Sequence, residues 1–220
     1  MAEPIQDGIF REIDEELRQE QFARLWKRYG RIFVTGACII VAAVAGYKAW
    51  ENYDLSNRGK QGEQYAASLR LTSGDNTEAA LDALKMLNSD ATTGYKMLSG
   101  FKAAALMAQS GDTQGAANAY DTLAGDDSLE ASYRDLAILL GAVQRINGGE
   151  DTSTVTSRLA SLAADNNPWR FSAKEMMAVL AEQSGDKVKA RELFKTLAED
   201  AAAPQGVRQR AGEMLSALAE

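Results

Sequence analysis

A single uncharged run, Ile32 to Tyr47, divides this chain into a short leading part and a long trailing one. The run is 16 residues long, against about 20 for a helix that crosses a bilayer. It reaches 19 residues, Ile32 to Trp50, if Lys48 extends its ammonium toward the headgroups. Tyr29, Tyr47 and Trp50 stand where interfacial aromatics belong, and Lys27, Arg28 and Arg31 crowd one end. The pattern predicts a transmembrane anchor over residues 32–50, flanked by Lys27, Arg28, Arg31, Lys48 and Trp50. A buried core helix is the first rival, but no other segment is apolar enough to be its partner. A cleaved signal peptide is the second, since Ala43-Val44-Ala45 fits a small-x-small cleavage pattern. Against it, 31 residues precede the run, where a signal peptide has a short basic start.

Lysine and arginine counts give the anchor a direction. Leu17–Arg31 holds five, and the matching Glu51–Tyr65 holds two, Arg58 and Lys60. The positive-inside rule then places the N-terminus in the cytoplasm and the large C-terminal part outside it. In a Gram-negative bacterium that is the periplasm. Residues 1–31 read as a loose start at Met1–Asp7 and then a helix. Its apolar positions, Phe10, Ile13, Leu17, Phe22, Leu25, Trp26 and Tyr29, are interrupted around Arg18–Gln21. A docking helix and a solvated lead-in both fit it. Within the anchor, Cys38, Ala42 and Gly46 repeat every four residues. This small face would let another membrane helix approach closely, although Ala and Gly are common in any spanning helix.

Residues 51–220 carry 17 basic and 24 acidic groups, so the whole net charge of −7 lies there. Such a domain is a poor nucleic-acid binder. The chain has no histidine, and its one cysteine, Cys38, sits in the apolar run. No intrachain disulfide, metal cluster, phosphate loop or catalytic constellation can be assembled, so we expect no enzyme, no cofactor and no small-molecule substrate. Abundant Ala, Leu and Glu, with three prolines, predict an all-α fold.

Beyond residue 50 the chain repeats. Ser73-Gly74-Asp75, Ser110-Gly111-Asp112, Asn147-Gly148-Gly149 and Ser184-Gly185-Asp186 recur every 37 residues. Glycine ends a helix in the left-handed conformation, and the next residue, Asp, caps the helix after it. The repeat turns are therefore expected at Gly74, Asp75, Gly111, Asp112, Gly148, Gly185 and Asp186, with Asp75 and Glu78 forming a capping box. Eight residues before each glycine stand Ala66, Ala103, Leu140 and Met177, and five after stand Ala79, Ala116, Ser153 and Ala190. In the third copy an insertion of two residues would bring Val155, Leu159 and Leu162 into the places of Ala116, Tyr120 and Leu123. Glu51–Thr72 reads as helix leading from the anchor into the first packed helix, with Tyr65, Ala66 and Leu69 inward. Pro168 and Pro204 fit the first turns of the helices after them. The last helix, 205–219, reads as a terminal cap whose polar face carries Arg208 and Arg210.

These residues resemble the tetratricopeptide repeat family, best in Gly111-Asp112 with Ala116, Tyr120 and Leu123, and in Gly185-Asp186 with Ala190, Phe194 and Leu197. The period of 37 departs from the family's usual ~34. The resemblance implies an α-solenoid of about four helical hairpins with a C-terminal capping helix over residues 51–220. Glu15-Glu16-Leu17, Leu25-Trp26-Lys27-Arg28-Tyr29-Gly30 and Gly46-Tyr47-Lys48-Ala49-Trp50 are similar to the start of the YfgM-like family of ancillary SecYEG translocon subunits. That resemblance implies a single-pass inner-membrane protein whose periplasmic domain meets SecYEG and periplasmic chaperones. It points to a protein-binding scaffold, with Tyr95, Lys102, Arg134, Trp169 and Arg170 as candidate groove residues. Core packing is the competing role for aromatics, favoured for Phe101 and Phe171 and equally matched for Trp169. A purely structural scaffold in another envelope or division complex is the alternative function.

Overall fold

The computed structural model describes the backbone of residues 4–73 and 76–218, with side chains from Ala23 onward. Every regular element among the described residues is helical: α1 (Pro4–Ser73), α2 (Thr77–Asp90), α3 (Thr93–Gln109), α4 (Thr113–Ala124), α5 (Ala131–Asn147), α6 (Thr152–Leu159), α7 (Arg170–Gln183), α8 (Lys187–Glu199) and α9 (Gln205–Ala217). A 3-10 turn, Ala160–Ala163, extends α6. The chain divides into two compact units, Met1–Arg58 and Gly59–Glu220.

The first unit is the leading part of α1. Residues 4–7, expected to be loose, are already helical. Proline at the first helical position lacks only an N–H that would have had no partner there. The polar interruption at Arg18–Gln21 likewise leaves the backbone helix intact.

The second unit is built of hairpins closed by glycine turns. Gly111 and Gly185 have φ of +87° and +82°, where a Cβ would be strained. After each, the backbone N–H reaches back five residues, Asp112 to Met107 and Asp186 to Ala181, at 2.9 and 2.8 Å. These are Schellman closures, which satisfy the last carbonyls of the helix. Asp112 then accepts from Gly115 N at 2.8 Å and Asp186 from Lys189 N at 3.0 Å, each capping the next helix.

The other two turns correct the even 37-residue reading. Gly148 is not the left-handed residue: its φ is −81°, and Gly149 takes the turn at +76°. Gly148 stands in the place of Ser110 and Ser184. Glu150 N closes onto Arg145 O at 2.9 Å, and the cap falls one residue later, on Asp151. In the first turn Gly74 and Asp75 lie outside the described residues. The cap of α2 is Asn76, which accepts from Ala79 N at 3.3 Å; the expected Asp75–Glu78 capping box lies outside the described residues.

Counted from the caps, the core falls into register. Four residues after them stand Ala80, Ala116, Val155 and Ala190, each fully buried. Ala79, the sequence choice for the first copy, is only half-buried, and Ser153 is exposed. Eight residues before the caps Asn76, Asp112 and Asp186, and nine before the Asp151 cap, stand Ser68, Ala104, Ala178 and Ala142, all within 1% of complete burial. Ala66, Leu140 and Met177 are not the buried small positions; Ala66 is exposed. Ser68 survives in that column because its hydroxyl donates to Tyr65 O at 2.7 Å. Val155, Leu159 and Leu162 do fill the third copy's core.

Burial is organised pair by pair. Tyr65, Leu84 and Leu106 anchor the first cluster, and Ala104, Tyr120 and Ala137 the second. Leu139, Leu159 and Leu180 anchor the third, and Phe171, Phe194 and Val207 the last. Helix α4 approaches its neighbours through two glycines: a Cβ at Gly100 would lie 2.9 Å from Leu123 Cδ2, and one at Gly141 3.3 Å from Tyr120 Cβ. Neither proline lies inside a first turn. Pro204 is the residue before α9, and Pro168 precedes Trp169, which occupies the N-cap position of α7.

Candidate partner-binding surface and membrane segment

Helix α1 contains the one stretch among the described residues long and apolar enough to cross a membrane, and none of that window is buried in the chain. The core-helix reading therefore fails: Ile32, Phe33, Ile39, Ile40 and Val41 are all exposed. At the basic end Lys27, Arg28 and Arg31 are exposed, and the Arg28 guanidinium lies 5.6 Å from the Tyr29 ring centre. At the other end Lys48 Nζ pairs with Glu51 at 2.7 Å, away from the apolar run, and Trp50 is exposed. Cys38, Ala42 and Gly46 are exposed, and a Cβ at Gly46 would meet nothing within 4 Å.

The five candidate groove residues are spread over three helices. Tyr95 and Lys102 belong to α3, Arg134 to α5, and Trp169 and Arg170 to the start of α7. The Tyr95 ring lies 6.3 Å from that of Tyr65 on α1, and its hydroxyl occupies the space a Cβ at Gly62 would need. Arg134 is paired with Asp127 at 2.5 Å. Trp169 donates from Nε1 to Ser132 O at 2.8 Å and packs on the third cluster, which gives it the core role. Arg170 stacks over Phe171, 4.1 Å from the ring centre. Phe171 is buried, and Phe101 packs on Tyr120 at 6.0 Å. Lys102 is half-buried.

Sequence reading missed a charged network at the third hairpin. Arg145, only 8% exposed, donates to Asp121 on α4 and to Glu150 in the turn, the latter at 2.8 Å. Asp121 also accepts from Arg158 on α6 at 3.3 Å. Burial works against the Arg145 charge, but Glu150 and Asp121 outweigh it and raise the guanidinium pKa. Around these groups, Ala124, Gly125 and Ile138 complete a pocket of about 400 Å³. A second missed contact is Gln61 on α1, 5% exposed, whose Oε1 accepts from Thr92 at the start of α3. Among the described residues, no group of acids or thiols is placed to hold a metal ion.

Serial hairpins with glycine turns, a capped helix after each turn and small residues at each close approach are the build of a helical repeat array. A family model described as a tetratricopeptide repeat-like domain matches residues 23–208. The chain belongs to the tetratricopeptide repeat-like family. The match begins ahead of the apolar run and ends in α9, so it takes in parts of both units. The comparison with curated proteins gave no match. A tetratricopeptide-like array is a protein-interaction scaffold, and its polar clusters here are caps and ion pairs that hold helices together.

Proposed function

We propose that this protein is a single-pass membrane scaffold that binds other proteins through its tetratricopeptide-like unit. The observation that carries the reading is an unburied apolar stretch on α1 within the same family match as the repeats. Residues 32–50 form the anchor, residues 1–31 lie in the cytoplasm, and residues 51–220 lie in the periplasm of a bacterial inner-membrane protein. The five-to-two Lys and Arg asymmetry across the anchor supports this orientation. The Cys38, Ala42 and Gly46 face gives close packing to a neighbouring membrane helix. We assign the Sec translocon as the partner, with SecYEG in the membrane and periplasmic chaperones or emerging chains at the soluble unit. The YfgM-like resemblance of Glu15–Gly30 and Gly46–Trp50 supports that assignment. Partner contact falls to the exposed surfaces of α3, α5 and α7, with Lys102 the candidate least committed to internal contacts.

Purification from mild detergent tests the reading. Recovery of SecYEG components is expected. Their absence beside another stable envelope complex would replace this partner with the structural-scaffold alternative. A reporter fused after Glu220 should read as periplasmic, and a cytoplasmic signal would reverse the orientation.

A further inference from the structure

The basic residues ahead of the anchor all take one side of their helix. Arg24, Lys27, Arg28 and Arg31 stand at i, i+3, i+4 and i+7 of α1, which gathers them within about 100° of its circumference. All four are exposed. Leu25, Trp26, Tyr29 and Phe33 occupy about 100° on the opposite flank, and each is more than half exposed. The positive-inside rule counts basic residues and asks nothing of the side they take, so this segregation is a separate feature. No acidic residue stands between Glu20 and Glu51, so Lys27, Arg28 and Arg31 have none within a helical turn, and Arg24 has only Glu20.

The apolar flank runs unbroken into the anchor. The Trp26 indole lies against Gly30, where a Cβ would stand 3.3 Å from it. Gly30 is thereby buried while residues 23–29 and 31–35 are exposed. The Trp26 and Phe33 rings lie 6.3 Å apart. The basic stripe covers about 10 Å of helix from Arg24 to Arg31, against a headgroup layer about 5–7 Å deep, and the long Lys and Arg stems bridge the difference. A tilt of the anchor, common in spanning helices, sinks the apolar flank toward the acyl chains and lifts the basic stripe to the phosphates. An amphipathic segment of this kind gains from anionic headgroups, whose net charge is opposite to its own.

We propose that Arg24, Lys27, Arg28 and Arg31 form a docking stripe for anionic phospholipid headgroups, seated by Leu25, Trp26, Tyr29 and Phe33. The stripe rests on the reading of residues 32–50 as a membrane span. Its test places the full chain in nanodiscs of equal phosphatidylglycerol and phosphatidylcholine and counts the lipids it retains in a native mass spectrometer. Phosphatidylglycerol should be retained about tenfold over phosphatidylcholine, and Lys27→Gln with Arg28→Gln should cut that preference about fivefold. Arg58→Gln, past the other end of the anchor and paired with Asp54, should leave it unchanged. Lys27→Tyr with Tyr29→Lys keeps composition and charge but moves a cation to the apolar flank, and should also lower the preference. Equal retention of the two lipids would overturn the stripe and give this surface to an acidic protein. An unchanged preference in the swapped chain, or a loss in Arg58→Gln equal to that of the double variant, would overturn it too. Alkaline carbonate treatment of membranes separates the two readings. Release of the chain would overturn the anchor and the stripe together, whereas a chain that stays with the membrane and shows no lipid preference overturns the stripe alone.

Discussion

Gln61 caps a helix it does not belong to. Its Oε1, on α1, accepts from both the backbone N and the hydroxyl of Thr92, at 3.1 and 2.8 Å, at the start of α3. Thr92 makes no side-chain cap of its own. Gln61→Ala should therefore lower stability by about 1–2 kcal/mol, because a part-buried N–H loses its partner. Gln61→Glu keeps an acceptor and should cost less. Urea denaturation of the two variants, monitored by circular dichroism, makes the comparison.

The shifted third turn predicts unequal glycines. Gly149→Ala should cost about 1–2 kcal/mol, since its φ of +76° is strained for any Cβ. Gly148→Ala should cost about 0.5 kcal/mol or less, because its backbone is ordinary and the new Cβ meets the Thr113 hydroxyl, at 3.1 Å, as its nearest neighbour. Equal losses in a thermal melt would restore the even 37-residue register.

The hairpin array was legible in the sequence wherever the turn chemistry was complete. Gly111-Asp112 and Gly185-Asp186 each supply the left-handed residue and the cap in two consecutive positions. Elsewhere the same two tasks are spread differently, at Gly149 and Asp151 in the third turn and with the cap on Asn76 in the first. The matching letter at Gly148 gave a regular spacing that the backbone does not obey, since Gly149 takes the left-handed place. The charged network was harder to see, because Arg145 lies among apolar residues of α5 and its partners sit on α4 and in the turn after α5. One trace of it was present: Asp121 and Arg158 are separated by 37 residues, as are Ser132 and Trp169. Contacts between successive hairpins recur at the repeat length, so complementary residues one period apart are a readable signal.

Acid should weaken the third hairpin through Asp151. Hydrogen bonds from the Ser153 side chain, and then from the Thr154 backbone, hold this carboxyl below the ordinary carboxylate value. A lowered folded pKa stabilises the fold above the unfolded value of about 3.9, and that contribution is lost as the pH falls through the folded value. Asp151→Asn, which caps without titrating, should flatten the acid limb of a stability-versus-pH curve. An unchanged limb would remove Asp151 from the acid response.

Trp169→Phe keeps an aromatic ring on the third cluster but leaves Ser132 O without its donor. A loss of about 1 kcal/mol is expected in thermal denaturation. Because Trp169 is committed to α5, partner recovery in a detergent pull-down should be unchanged. A selective loss of partner with normal stability would return Trp169 to the binding surface.

The interior of this unit comes as four separate packets, each shared by neighbouring helices. Descent can therefore act on it one hairpin at a time. A duplicated or deleted pair would disturb the two packets beside it and leave the others as they were. The ends have no such freedom. Gln61 and Tyr65 fit only the first pair, and α9 closes the last packet with Val207, Ala211 and Leu218. Lineages of this protein should vary in the number of central hairpins while keeping both ends fixed.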